Sequence, residues 1–141
     1  MEIERKYLID KIPFSLEGFC CRRIEQGYLC TEPVVRIRRD DDTYYLTYKS
    51  KGLMVREEYN LPLTKDSYEH LRSKIDGILI SKTRYLIPLD DKLTIELDVF
   101  SGELAGLLLA EVEFETEEAA NRFVPPEWFG EDVTFSSKYH N

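Results

Sequence analysis

Histidine, cysteine and long apolar runs are scarce in this chain. The 141 residues include three cysteines and two histidines. Cys20 and Cys21 are adjacent and Cys30 leaves an odd count, which suits neither a disulfide framework nor a zinc site. The apolar stretch at residues 107–110 is far shorter than the roughly 20 residues of a membrane span, and no basic-then-apolar leader opens the chain. We therefore expect a cytoplasmic protein with reduced thiols.

Phosphate-binding loops, internal repeats and linkers are absent as well. The chain contains neither a G-x-x-x-x-G-K-[ST] loop nor a G-x-G-x-x-G sequence after a predicted strand. With 43% hydrophobic residues the chain can bury one core, so we expect a single domain over residues 1–141. The net charge of -8 argues against binding to nucleic acid or to anionic membranes.

Short alternating runs separated by turn-like residues fill most of the chain. They predict eight strands, at residues 2–9, 22–30, 34–39, 43–50, 54–62, 78–88, 93–100 and 109–115. Two segments instead predict helices, at residues 65–75 and 117–123, with Thr64 and Thr116 as N-caps. So many short strands with so few helices favour an antiparallel barrel over alternating βαβ units.

Charged side chains recur at alternate strand positions, and therefore on one face of each strand. Residues i and i+2 point the same way, about 6.5 to 7 Å apart. The cations of this face are Lys6, Arg36, Arg38, Lys49, Arg56, Lys82 and Arg84, and its anions are Glu2, Glu4, Glu58, Glu96, Asp98, Glu111 and Glu113. The opposite faces are largely apolar. Periodicity alone favours an apolar interior and a solvated, charged exterior.

The grouping of these charges by sign favours a charged cavity instead. Like charges so close repel, unless the carboxylates share a bound cation and the basic groups share a bound polyanion. Ligand sets made only of oxygen select hard cations such as Mg²⁺ or Mn²⁺. Arginine and lysine suit phosphate oxygens. Together these residue types indicate phosphoryl transfer, in which positioning and charge neutralisation supply most of the catalysis.

A series of motifs follows a fixed order along the chain, beginning with Glu-Ile-Glu-Arg-Lys at residues 2–6. This opening resembles the E-x-E-x-K signature of the CYTH proteins, also called triphosphate tunnel metalloenzymes. The similarity continues through residues 26–29, 36–38, 47–50, 56–59, 82–85, 96–102 and 108–114, and so covers nearly the whole chain. Residues 123–131 resemble the short bacterial members that act as inorganic triphosphatases.

The resemblance implies a mainly β (α+β) fold, with an eight-stranded antiparallel β-barrel forming a charged tunnel and a few packing helices outside it. It implies metal ligation by Glu2 and Glu4, with Glu111 and Glu113 on the same wall, and Mg²⁺ or Mn²⁺ as cofactor. The residues expected to hold the triphosphate are Lys6, Arg36, Arg38, Lys49, Arg56, Lys82 and Arg84.

The candidate catalytic residues are Lys82, Glu58 and Asp98. For Glu58, Asp98 and Glu96 three roles stay open: orienting the cations, binding a second metal, or accepting a proton from the attacking water. The resemblance implies a small-molecule triphosphate as partner, with no nucleic acid or membrane, and a protein that is a monomer or a homodimer.

Several functions fit these residues. The first is metal-dependent hydrolysis of inorganic tripolyphosphate, with nucleoside triphosphates as secondary substrates. A CYTH-type adenylate cyclase and a thiamine triphosphatase are alternatives, but both need a pocket for an organic group. A noncatalytic polyphosphate or nucleotide sensor would use the same cations, although it gains little from seven carboxylates beside its ligand. The last alternative is a barrel with an exterior charge that serves as an interaction module.

Overall fold

One antiparallel sheet forms most of the molecule in the computed structural model, which describes residues 1–139. Its strands are β1 (Glu2–Leu8), β2 (Cys20–Thr31), β3 (Val34–Asp40), β4 (Thr43–Lys49), β5 (Val55–Arg56), β6 (Glu58–Pro62), β7 (Asp76–Pro88), β8 (Thr94–Ser101) and β9 (Leu108–Glu113). Their spatial order is β5-β1-β9-β8-β7-β2-β3-β4-β6.

The two end strands of this order, β5 and β6, are consecutive in sequence and nearly close the sheet into a barrel. Only Glu57 separates them. On one side Arg56 lies opposite Glu2 of β1, and on the other Glu58 lies opposite Lys49 of β4. The run predicted as one strand at residues 54–62 is therefore split in two, which gives nine strands. The predicted antiparallel barrel is confirmed.

The apolar core lies outside the barrel, between the sheet and the segments that cover it. It contains side chains from β1, β8 and β9, namely Ile3, Tyr7, Ile95, Leu97, Ala110 and Val112. Helix α2 (Glu117–Arg122) and the aromatic residues after it cover this face. The rings of Tyr7 and Phe129 lie 5.0 Å apart, and those of Phe114 and Phe123 lie 5.1 Å apart. Since the apolar faces are used here, the charged faces line the interior.

Helix α1 (Lys65–Arg72) covers the sheet near β3 and β4. The Thr64 side chain accepts a hydrogen bond from the Ser67 backbone N–H and completes a capping box, as its N-cap position predicts. Tyr68 is buried, with its ring 5.2 Å from that of Tyr44. The helix ends at Arg72 rather than at residue 75, because Ile75 packs against the sheet at Gly27. A Cβ atom at Gly27 would lie 2.7 Å from the Ile75 side chain.

Residues 130–133 flank β1 on the edge opposite β9. The Gly130 N–H donates to the Leu8 carbonyl at 2.8 Å, and the Leu8 N–H donates to the Glu131 carbonyl at 2.8 Å. The Val133 N–H donates to the Lys6 carbonyl, also at 2.8 Å. These bonds satisfy the edge of β1 beyond its short pairing with β5. Within residues 1–139, none of the helices has the length and apolar character needed to cross a membrane.

Candidate functional site

All seven cations of the charged face point into the barrel and are buried. The exposed fraction is 1% for Lys6, 2% for Lys82, 3% for Arg36, 4% for Arg56, 5% for Lys49, 6% for Arg84 and 7% for Arg38. Lysine and arginine are almost never this buried unless something balances their charge. The burial excludes a solvated exterior face for these seven residues.

A cavity of about 290 Å³ runs between these side chains. Its lining is almost wholly charged: Glu2, Glu4, Arg36, Arg38, Lys49, Glu58, Arg84, Glu96, Glu111 and Glu113, with Met1 beside them. Four of the predicted site residues do not line this cavity, although all four are buried: Lys6, Arg56, Lys82 and Asp98. Arg56 and Lys82 each line a separate cavity. The lining offers no apolar pocket for an organic group.

Asp98 and Arg84 form the most complete ion pair of the site. The Arg84 Nε and Nη2 atoms donate to the two Asp98 oxygens at 2.8 and 2.9 Å, and Arg84 Nη1 donates to Glu96 at 3.1 Å. Burial would raise the pKa of Asp98, but the charges of Lys82 and Arg84 lower it. Asp98 is therefore an ionised anchor for two cations.

Lys82 approaches the same carboxylate without forming a hydrogen bond to it. Its Nζ atom lies 2.7 Å from Asp98 Oδ2, yet the angles leave the ammonium group without an acceptor among the described residues. Burial, opposed by Asp98 and reinforced by Arg84, lowers the pKa of Lys82 to about 7. Asp98 therefore forms ion pairs with both Arg84 and Lys82, while burial and the charges of Arg84 and Arg38 disfavour the protonated form of Lys82.

Other cations of the tunnel also have buried N–H groups without acceptors in the described part of the chain. They are Nε and Nη1 of Arg36 and Nη2 of Arg56. Arg56 Nη2 lies 3.6 Å from a Glu2 oxygen, which is an ion-pair distance but not a hydrogen bond. Burial and the charge of Arg38 lower the pKa of Arg36 to about 10. Unpaired buried donors cost about 1–3 kcal/mol each, and phosphate oxygens would satisfy them.

The carboxylates form two hydrogen-bonded pairs, Glu2 with Glu58 and Glu4 with Glu111. Burial and the bond to Glu58 raise the pKa of Glu2 to about 7. Burial and the charges of Glu111 and Glu2 raise the pKa of Glu4 well above its usual value. A divalent cation beside these carboxyl groups would favour their ionised forms and lower both pKa values again.

The acidic partners in these two pairs are held ionised by their neighbours. Burial would raise the pKa of Glu58, but hydrogen bonds with Glu2 and Asn60 and the charge of Lys49 lower it to about 2. The pKa of Glu111 lies well below its usual value, since the charges of Lys6 and Arg84 outweigh the effect of burial. Both pairs thus contain one strong anion.

A hard divalent cation fits this donor set. No group of three or more His, Cys, Asp or Glu side chains in residues 1–139 forms a ready-made metal site. Mg²⁺ usually takes one or two protein carboxylates and completes its shell with water and substrate phosphates, which two glutamate pairs beside unpaired cations can provide. Glu113 lies directly opposite Glu4 in the β1–β9 register and is the most exposed of the four predicted ligands.

Three further polar residues, Gln26, Thr47 and Asn60, contact the charged residues of the tunnel or each other and are missing from the predicted set. Gln26 is fully buried, and its side-chain oxygen accepts hydrogen bonds from Arg38 Nε and Nη2 at 2.9 and 2.5 Å. The Thr47 hydroxyl donates to Asn60 at 2.6 Å, and the Asn60 amide donates to Glu58 at 3.0 Å. Cross-strand pairing places Gln26 opposite Arg38, and this is the signal that could have identified Gln26.

The backbone of the C-terminal segment also reaches the site. Lys6 Nζ donates to the Tyr139 carbonyl at 2.9 Å and lies 3.8 Å from Glu111. Tyr139 packs against the cluster of Phe100, Leu109 and Val133. The alternation of side-chain types carries no information about backbone carbonyls, so it could not predict this contact.

Comparisons with known proteins agree with this geometry. The family model described as CYTH domain matches residues 1–140. An inorganic triphosphatase of Nitrosomonas europaea is 41% identical over 143 residues, which cover 99% of this chain and 93% of that protein. An inorganic triphosphatase of Acetivibrio thermocellus is 35% identical, with 99% and 90% covered.

Solved structures give the same result for the fold. The crystal structure of an inorganic triphosphatase superposes with a TM-score of 0.73 at 39% identity, covering 100% of this chain and 91% of that one. A putative adenylyl cyclase from Hippeastrum, described as having a dominant triphosphatase activity, superposes with a TM-score of 0.62 at 18% identity. That match covers 86% of this chain and 83% of the other, and it supports the barrel alone.

Proposed function

Because the chain belongs to the CYTH domain family, we propose that it is an inorganic triphosphatase that hydrolyses tripolyphosphate with the help of a divalent metal ion. The relatives that are 41% and 35% identical carry that name. Water attacks the phosphorus of a terminal phosphate, the bond to the bridging oxygen breaks, and diphosphate leaves with the electron pair. The products are diphosphate and phosphate.

The burial of incompletely paired cations is the observation that carries this proposal. Arg36 is 3% exposed, and two of its guanidinium nitrogens have no acceptor among the described residues. A purely structural ion-pair network would satisfy such donors, because each unsatisfied one destabilises the fold. A linear triphosphate offers many acceptor oxygens and high negative charge in a shape that fits a narrow tunnel.

Seven cations are assigned to the substrate: Lys6, Arg36, Arg38, Lys49, Arg56, Lys82 and Arg84. Arg36 and Arg38 lie on β3 and Lys82 and Arg84 on β7, the two strands that flank β2. Lys6 lies on β1, on the other side of the nearly closed sheet, so the phosphate chain would lie among cations from several strands. Their rigidity comes from partners such as Gln26 and Asp98. Held in advance, these charges stabilise the charge on the equatorial oxygens as the bond breaks.

The metal ion is assigned to Glu2, Glu4, Glu111 and Glu113, with Mg²⁺ or Mn²⁺ as the ion. When bound, it neutralises phosphate oxygens and orients them for displacement. The two glutamate pairs support the assignment, since each brings two carboxyl groups together, and the raised pKa of Glu2 and of Glu4 reflects burial and negative charge that a cation would balance.

Three residues are assigned to catalysis. Asp98 is a positioning residue that holds Arg84 and Lys82 in place. Lys82 stabilises the negative charge that develops on the leaving diphosphate. Glu58 accepts the proton of the attacking water, a role supported by its ionised state and by the Asn60 hydrogen bond that orients it.

The reaction is assigned to the cytoplasm, with a small-molecule triphosphate as the partner. The three cysteines, Cys20, Cys21 and Cys30, are free thiols, which suits a reducing compartment. Whether the enzyme acts as a monomer or as a homodimer stays a prediction for sedimentation analysis of the purified chain.

Phosphate release from tripolyphosphate, ATP and thiamine triphosphate tests the function. Each substrate is supplied with Mg²⁺, with Mn²⁺ or with chelator. We expect metal-dependent turnover that is fastest on tripolyphosphate, because the tunnel lining holds no apolar pocket for a base or a thiazole. Formation of cyclic AMP and diphosphate from ATP would indicate a cyclase, and tight binding of tripolyphosphate without turnover in either metal would indicate a sensor.

A further inference from the structure

An eighth cation, Arg22, faces the tunnel at its mouth. In the β2–β7 register Arg22 lies directly opposite Arg84. Side chains of directly opposed residues share a face of the sheet, so Arg22 points to the same side as the tunnel cations. Its side chain is 38% exposed, whereas that of Arg84 is 7% exposed. Arg22 therefore lies where the tunnel opens to solvent.

The guanidinium group of Arg22 spans this opening. Its Nη2 atom lies 3.9 Å from the Glu96 oxygen that Arg84 Nη1 contacts at 3.1 Å, and its Nη1 atom lies 3.3 Å from Asp40 Oδ2. Its Nε atom is buried and has no hydrogen-bond acceptor in the described part of the chain. Arg22 and Arg84 thus both contact Glu96, while Asp40 pairs with Arg22 and Asp98 with Arg84. The Nε donor of Arg22 is the group at the opening that remains without an acceptor in the described part of the chain.

A second cavity continues outward from the tunnel at this point. Its volume is about 1040 Å³, and Met1, Glu96 and Glu113 line both cavities. The outer cavity has a mixed lining of three cations, four carboxylates and several apolar side chains. The cations are Arg22, Lys92 and Arg122, and the carboxylates are Asp90, Glu96, Glu113 and Glu115. A linear ligand that extends out of the tunnel past Arg84 would therefore meet Arg22 next.

We propose that Arg22 binds the fourth phosphate of a linear polyphosphate whose other three phosphates occupy the tunnel, so that the substrates of this site include tetrapolyphosphate. This inference rests on the proposed function of the tunnel. A guanidinium fork suits a phosphate group, which can take the unpaired Nε donor. With its three phosphates placed in the tunnel, tripolyphosphate would not reach Arg22, so the proposal predicts that Arg22 discriminates by chain length.

The test compares kcat/KM for tripolyphosphate and tetrapolyphosphate, both with Mg²⁺, in the wild-type chain and three variants. Arg22→Gln should lower kcat/KM about tenfold for tetrapolyphosphate and less than about twofold for tripolyphosphate. For tetrapolyphosphate, kcat/KM of Arg22→Lys should lie between the values of the wild type and of Arg22→Gln, since lysine keeps the charge but lacks the forked guanidinium group. Arg23→Gln is the matched control: Arg23 is the next residue on the strand, is exposed and points to the opposite face.

The outcomes separate this inference from the proposed function. An unchanged ratio of the two kcat/KM values in Arg22→Gln overturns the assignment of Arg22, and so does an equal change in Arg23→Gln. A wild-type chain that does not hydrolyse tripolyphosphate overturns the proposed function itself. Melting temperatures, measured in parallel, show whether each variant is folded at the assay temperature.

Discussion

Both carboxylate oxygens of Asp98 accept hydrogen bonds from Arg84, at 2.8 and 2.9 Å, and Lys82 lies beside the same carboxylate. The pair joins β7 to β8 inside the tunnel, at a register position where the two residues are directly opposed. Asp98 fixes Arg84 by two hydrogen bonds and forms an ion pair with Lys82. The proposed mechanism and the stability of the fold therefore both depend on this carboxylate.

Removing the carboxylate should destabilise the protein strongly. Asp98→Asn removes the anion that Lys82 and Arg84 share, although Arg84 keeps its contact with Glu96. Breaking a buried pair by removing one partner costs about 3–5 kcal/mol. Urea unfolding at pH 7 measures the change. Asp90→Asn is the control, since Asp90 caps an exposed turn, and it should change little. Saturating tripolyphosphate should not lower the free energy of unfolding of either variant. A loss below about 1 kcal/mol in Asp98→Asn would contradict the anchoring role.

Removing the lysine should separate catalysis from stability. Lys82→Met deletes an unsatisfied buried ammonium group while Asp98 keeps its two bonds to Arg84, so the free energy of unfolding should stay equal or rise. The value of kcat on tripolyphosphate should fall about 100- to 1000-fold, as when one preorganised charge is lost.

Lys92→Met is the matched control, because Lys92 is exposed and lies outside the tunnel lining. It should keep wild-type kcat. A Lys82→Met variant that unfolds more easily than the wild type would show that the Asp98 contact is chiefly structural, and one with normal kcat would remove Lys82 from the mechanism.

The hydrogen-bond relay behind Glu58 should affect rate more than folding. Thr47→Val removes the 2.6 Å bond that fixes the Asn60 amide, and Asn60 then no longer holds Glu58 in one orientation. We expect kcat to fall about three- to tenfold, since a misplaced proton acceptor loses part of the factor of about 100 that acid–base catalysis supplies. Thr43→Val, at the exposed start of the same strand, is the control. Equal kcat in both variants would argue that the relay has no functional role.

The inward cations were predictable because strand alternation is strict. Lysine and arginine at alternate positions share a face whatever the details of the fold, and Arg36 and Arg38 show this on β3. Alternation does not say which face is inside, since both faces of this barrel are covered. That choice followed from the grouping of like charges and from the family resemblance.

Other parts of the site could not be predicted from alternation. The break at Glu57 arises because the residues before it pair with β1 and the residues after it pair with β4. The Tyr139 carbonyl that binds Lys6 is a backbone group 133 residues away in sequence. Arg22 stood on a predicted strand, but its alternating neighbour Ile24 is apolar, so no repeated charge marked that face.

Close packing at Gly27 predicts a loss of stability on adding one methyl group. In Gly27→Ala the new Cβ would lie 2.7 Å from the Ile75 side chain, so the strand or the α1–β7 connection must shift. Overpacking of this kind costs about 1–3 kcal/mol. Ile75→Ala opens the space beside the new methyl group. The loss of stability in the double variant should therefore be smaller than the sum of the losses in the two single variants. Additive losses in urea unfolding would show that the close contact is not the cause.

The buried lysine predicts how stability depends on pH in the metal-free protein. The pKa of Lys82 is about 7 in the folded chain, below its ordinary value. The pKa of a lysine in the unfolded chain is near 10.4. Between pH 7 and that value the unfolded chain binds more protons at Lys82 than the folded chain does, so the contribution of Lys82 to stability rises with pH. The slope is at most about 1.4 kcal/mol per pH unit. Below pH 7 both states hold the proton and the full penalty applies.

Urea unfolding at pH 7, 8 and 9 in the presence of chelator measures this slope. Lys82→Met should flatten it, because the variant has no group to titrate there, while Lys92→Met should keep it. Bound tripolyphosphate should also flatten the slope, since its negative charge favours protonated Lys82 and raises the pKa again. Calorimetry at pH 8 in two buffers of different ionisation enthalpy should accordingly detect proton uptake on binding. Binding without proton uptake would mean that the phosphate chain does not reach Lys82.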